Sequence, residues 1–226
     1  MRGPAEGIGH GRHRYGAVLL LSLALAIYAL SAPDTNAARV LQLLGAGAVL
    51  VVAVVTSRAP AMVRWLVATS LGIAVLGAVA AAAVGHPRQT LALGAIAVLL
   101  ATTAAVILAG LSRLVGERGV VVPVVLGALA VYVLVGLVFG FAIGAVAKGS
   151  AGAYFASGTD GSQSARTYYS FTTLTTTGFG DLTAATRGGR GVAVLEMLLG
   201  QLYLVTVIAT LVGNLRASRA GSGPSQ

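Results

Sequence analysis

Phe171-Thr172-Thr173-Leu174-Thr175-Thr176-Thr177-Gly178-Phe179-Gly180-Asp181 is a polar stretch rich in hydroxyls and glycine, set between two long apolar runs. At membrane depth its backbone N–H and C=O groups would find no partner in lipid. Such a segment must be buried in protein or line a watery path. The runs beside it, Val120 to Ala147 and Gly191 to Leu215, are each long enough to span a bilayer, for which about 20 residues suffice. The polar stretch therefore reads as a loop that dips into a membrane and comes back.

Further apolar runs precede it at Tyr15 to Ala32, Ala37 to Thr56, Trp65 to Val84 and Thr90 to Leu111, which makes six expected spans. Pro33-Asp34, Arg58-Ala59-Pro60 and His86-Pro87-Arg88 break the pattern between them, as chain reversals at a membrane surface should. Composition agrees: 57% of the residues are hydrophobic and 9% charged, against about 25% charged in soluble domains. With no cysteine, neither a disulfide framework nor a thiolate metal site is available. The net charge of +9 shows no basic patch interleaved with aromatics, so it does not indicate nucleic acid.

Charge instead sets orientation. With the N-terminus inside, the inner segments carry Arg2, Arg12, Arg14, Arg58, Arg64, Arg113, Arg118, Arg216 and Arg219. The outer ones carry Arg39, Arg88, Lys148, Arg166, Arg187 and Arg190. This asymmetry favours cytoplasmic termini and an external segment from Lys148 to Arg190. Residues 1–14, Gly-rich and basic, read as a disordered cytoplasmic tail, and 216–226 as a short second one. A cleavable signal peptide is the competing reading of the first run, with its basic start and small residues at Ala29-Leu30-Ser31-Ala32. The fourth run has no Lys or Arg, so residues 15–112 read as a four-helix scaffold without voltage-sensor charges.

Within the last part, Gly136, Gly140 and Gly144 clear one face of the fifth span for close helix approach. Residues Lys148 to Ser164 read as a surface loop. Ser164 can cap a short helix over about 165–176, which at about 1.5 Å per residue is too short to cross. On the sixth span, Gln201, Leu204, Ile208 and Val212 share a face at the helical period, and Glu196 is the only acidic residue inside a span.

The run Thr175-Thr176-Thr177-Gly178-Phe179-Gly180-Asp181 resembles the potassium-channel signature Thr-Thr-Val-Gly-Tyr-Gly-Asp. The resemblance covers about Val120 to Leu215 and implies a pore domain: outer helix 120–147, pore helix about 165–176, filter 176–181 and inner helix 191–215. It implies K+ held by the carbonyls of Thr176, Thr177, Gly178 and Phe179, with Gly180 completing the filter. Glycines at 178 and 180 allow the backbone angles this path needs. Thr172, Thr173, Thr175, Asp181, Glu196, Tyr168 and Tyr169 are expected to support the filter, Tyr168-Tyr169 as an aromatic brace and Glu196 through hydroxyls such as Thr172 or Thr173. Gly200 falls where the family often has a hinge, and Gln201, Leu204 and Ile208 are expected to line the cavity. Phe179 and Thr177 depart from the signature's tyrosine and valine, which bears on the degree of selectivity.

The expected fold is an all-α membrane protein of six spans with a re-entrant pore helix, assembling as a homotetramer in the plasma membrane. Its expected function is passive K+ conduction, without enzymatic activity or cofactor, with copies of itself and membrane lipid as partners and no nucleic acid. The competing readings are a weakly selective monovalent-cation channel and a regulatory or transporter subunit that does not conduct alone. A further one is an intramembrane aspartyl protease, because Gly178-Phe179-Gly180-Asp181 fits a Gly-x-Gly-Asp pattern. Such an enzyme needs two carboxylates in one site, and Asp34 and Asp160 lie in loops.

Overall fold

The computed structural model describes residues 9–57, 65, 67–70, 72, 88–149 and 152–220. They form helices α1 (Gly9–Ser31), α2 (Asn36–Ser57), α3 (Arg88–Arg118), α4 (Val122–Gly149), α5 (Gln163–Leu174) and α6 (Arg187–Ala220). No strand occurs among the described residues beyond an isolated bridge between Phe155 and Ala184. Among the described residues, four segments are long and apolar enough to cross a membrane, Asn36–Ser57, Thr90–Glu117, Val122–Gly149 and Arg187–Thr210, while the apolar part of α1, Tyr15–Ser31, is shorter. Most of the expected third span lies outside the described residues.

Two boundaries differ from expectation at the chain's ends. Helix α1 starts at Gly9, inside the stretch read as a tail, and α6 continues to Ala220. In both places the chain simply carries on an apolar helix into its polar flank, where no proline or cap stops it.

Helices α1, α2, α3 and α4 share one apolar core, with Val18, Leu50, Leu100, Ile107 and Leu134 fully buried or nearly so. Helix α4 is its spine and packs against α1, α3 and α5. A second, smaller cluster joins Tyr154 and Phe155 of the α4–α5 loop to Ile143, Tyr169, Ala184 and Ala193. That loop was expected to be surface only. It buries two aromatic rings, and Ala156 N–H to Thr183 and Ala185 N–H to Tyr154 tie it to the segment after residue 181. Burial in this setting raises the Tyr154 hydroxyl's pKa well above the usual tyrosine value.

Helix α6 differs from the rest. Leu195, Leu198, Leu202, Val205 and Ile208 are all more than half exposed, in a helix whose composition belongs out of water.

Candidate functional site

Short helix α5 lies on the glycine face of α4. A Cβ at Gly136 would stand 2.6 Å from the Phe171 ring, one at Gly140 3.1 Å from Thr167 Cα, and one at Gly144 2.9 Å from Arg166 Nε. Any side chain at these positions would hold the two helices apart, so the glycine spacing on α4 sets where α5 sits.

Helix α5 begins and ends two residues earlier than the sequence suggested. Ser162, not Ser164, is the N-cap, and its hydroxyl accepts the Ala165 N–H at 3.0 Å. Both serines are chemically fit to cap. The Ser164 hydroxyl is instead engaged with the Leu30 carbonyl of α1, a contact no local pattern announces. At the other end Thr175 is the C-cap, and helical geometry stops because Thr176 takes φ 56°.

From there positive φ recurs at every second residue: Thr176 at 56°, Gly178 at 48°, Gly180 at 82°. Glycine adopts such angles freely, whereas threonine does so at a cost of about 1 kcal/mol or more. Thr176 is held there by its neighbours. Its N–H donates to the Thr173 carbonyl at 3.0 Å, while Thr177 N–H and Gly178 N–H both donate to the Thr172 carbonyl, at 2.9 and 3.1 Å. Three successive amides thus point back at α5. In a planar trans peptide the C=O points opposite to the following N–H. The carbonyls of Thr175, Thr176 and Thr177 are therefore turned away from α5, toward the uncovered side of the loop. Residues 175–181 are all exposed in the single chain.

The side chains around the loop fix it from three directions. The Thr176 hydroxyl donates to the Thr175 carbonyl at 2.7 Å and accepts from Gln201 Nε2 of α6 at 3.0 Å. Thr175 Oγ1 lies 2.7 Å from the Phe171 carbonyl and 2.9 Å from Thr177 Oγ1. Thr172 bonds the Tyr169 carbonyl at 2.9 Å, and Thr173 is buried. The rings of Tyr168 and Phe179 stack with centroids 6.3 Å apart and planes 4° from parallel, and the Tyr168 hydroxyl interacts with the Asp181 carboxylate. Tyr169 turns the other way, edge-on to Phe155 at 5.2 Å.

On α6, a Cβ at Gly200 would run into the Leu174 carbonyl, so this glycine lets the helix pass close beneath the end of α5. Here α6 is unbroken. Gln201 and Ile208 are exposed, Leu204 is half-buried, and the Val212 side chain is outside the described set.

Glu196 is fully buried and was expected to reach Thr172 or Thr173. It meets Ser170 instead, at 2.5 Å from Oε1. Tyr132 of α4 donates to the Leu174 carbonyl at 3.3 Å and stacks on Tyr203 of α6, whose hydroxyl donates to the Ala128 carbonyl at 2.6 Å. Ser170 and Tyr132 bear directly on the last turns of α5 and Tyr203 only through Tyr132, and sequence reasoning gave none of them a role. The signal available was the placement of hydroxyl groups within apolar runs, where each needs a partner.

Residues 124–217, from the first turn of α4 into the last part of α6, match the family model described as "Ion channel". No curated protein and no solved structure matches the chain. Two long apolar helices, a short helix that cannot cross and a glycine-bearing loop turned back on it fall together inside the matched segment. Over these residues the chain is similar to the ion-channel family.

Proposed function

We propose that this membrane protein is a potassium-selective channel in which four copies surround one conduction path. The observation that carries the reading is the loop 175–180, whose amides at 176, 177 and 178 are all committed to α5 and whose φ alternates in sign. A strand so fixed turns the Thr176 and Thr177 carbonyls to its open side, while the Thr175 carbonyl accepts from the Thr176 hydroxyl. K+ sheds its water only when such oxygens replace the hydration shell from several sides. One chain contributes one oxygen per level, so the ring needs further copies. The exposed loop and the uncovered apolar surface of α6 are where those copies would sit.

Helix α5, as pore helix, adds a second favourable term. Its C-terminal carbonyl end carries partial negative charge, which favours a cation at that end. Gln201, next to Thr176 and exposed, would stand at the entrance from the inner cavity, with Ile208 further in. The remaining chain, six spans in all with both termini cytoplasmic and the filter at the outer side of the plasma membrane, would follow the charge asymmetry.

A protease of Gly-x-Gly-Asp type would need a second carboxylate facing Asp181. Asp34 and Asp160 are bonded elsewhere, to Gln163 N–H and to Lys148 and Tyr154 N–H respectively, and Glu196 to Ser170.

The experiment is K+ flux from liposomes holding the purified protein. The channel reading expects K+ efflux that needs no energy source, and protein-containing liposomes as tight as empty ones would refute it in favour of a non-conducting subunit.

A further inference from the structure

The loop between α1 and α2 reaches the first turn of α5. Both oxygens of Asp34 accept the Gln163 backbone N–H, at 3.1 and 3.3 Å, and the Ser164 hydroxyl donates to the Leu30 carbonyl. These contacts join residues 129 and 134 positions apart. A helix leaves its first amides and its last carbonyls without partners of its own. Here two helix ends meet: a carbonyl from the last turn of α1 accepts a hydrogen bond from the Ser164 hydroxyl of α5, and the turn that follows α1 supplies a carboxylate to the first amide of α5. Ser162 already satisfies Ala165 N–H, so Asp34 is a second cap from another element. It also brings negative charge to the positive end of the α5 dipole. The buried Arg166 guanidinium feels the same carboxylate, while its hydrogen bonds go to the Asp160 and Gly161 carbonyls and to the Gln163 side chain.

We infer that Asp34 and the end of α1 position the pore helix, so that the N-terminal helices hold the filter's support at its far end. Helix α5 is short and regular, and its last carbonyls carry the loop amides at 176, 177 and 178. A rod of this kind transmits a tilt. Loosening its first turn displaces the carbonyls on which the loop hangs. Asp34 touches no ion in this arrangement; it acts through Gln163 and α5. The functional half of this inference rests on the channel reading, and the structural half does not.

The test uses the full chain with Asp34→Ala, Asp34→Asn and Ser164→Ala, read by amide hydrogen exchange over residues 163–166 and by single-channel open probability at one fixed voltage. In Asp34→Ala, exchange at Gln163 should quicken about fivefold, as for a lost helix cap, and open probability should fall at least about twofold. Asp34→Asn keeps an oxygen acceptor and should restore most of both, and Ser164→Ala should shift both in the direction of Asp34→Ala. Parent-like exchange in Asp34→Ala and Ser164→Ala overturns the clasp. Faster exchange with parent-like open probability overturns its coupling to the filter. A parent protein that passes no current refutes the channel reading instead, and exchange still decides whether the clasp exists.

Discussion

The Ser170 hydroxyl lies 2.5 Å from Glu196 Oε1 and 2.6 Å from the Gly136 carbonyl. A hydroxyl has one proton. The Gly136 carbonyl and a Glu196 carboxylate are both acceptors, so with Glu196 ionised that one proton is shared between them, whereas a protonated Glu196 donates a proton of its own. Glu196 joins α6 to α5, as α5 is joined through Ser170 to α4. Its second oxygen, buried without a partner among the described residues, is tolerable on a neutral acid and costly on a carboxylate.

Glu196→Gln should therefore keep nearly parental stability, since its amide can donate to Ser170. Glu196→Val leaves Ser170 with one contact and should cost about 1–3 kcal/mol. Thermal unfolding in detergent compares the two; equal losses would mean that Glu196 is needed as a charge.

Gly140 faces backbone, not a movable side-chain tip. Gly140→Val should push α5 off α4, destabilise by about 1–3 kcal/mol and reduce K+ flux sharply. Gly47, with open space around its Cα, provides the control: Gly47→Ala should be neutral or slightly stabilising by helix propensity. The same melting assay, with liposome flux alongside, checks both.

Gln201→Leu removes the donor to the Thr176 hydroxyl while keeping the volume. The loss is about 0.5–1.5 kcal/mol, and it falls on a residue held at positive φ. Single-channel recording should show lower open probability or conductance, with Gln201→Asn closer to parent than Gln201→Leu.

Residues 90–111 of α3 contain no Lys or Arg, whereas each charge moved through the field contributes about 2.3 kcal/mol per 100 mV. The conductance–voltage relation should be shallow. A steep one that persists when Arg113 and Arg118 are neutralised would place a sensor elsewhere.

Local chemistry was legible in the sequence, and distant pairing was not. Glycine at 178 and 180 announced the backbone alternation, and Gly136, Gly140 and Gly144 announced a close helix contact, because both are demands that a residue type meets within its own segment. Thr176 at positive φ was not announced, since three amide bonds to α5 impose it against its own preference. The partner of Glu196 is set by how α6 crosses α5, which a helical wheel of α6 alone does not contain. The choice of Ser162 over Ser164 as cap turned on the Leu30 carbonyl, and Asp34, read as a loop aspartate, turned out to cap a helix far along the chain.

Selective K+ passage through the carbonyls of residues 176–179 is read out by the bi-ionic reversal potential. With K+ on one side of a bilayer and an equal concentration of Na+ on the other, each tenfold preference is about 1.4 kcal/mol, or about 60 mV. A selective filter should displace the reversal potential by at least about 60 mV in the direction of K+ preference, a displacement largely lost in Gly178→Ala. A reversal potential near zero in the parent channel would contradict it and leave a weakly selective cation channel.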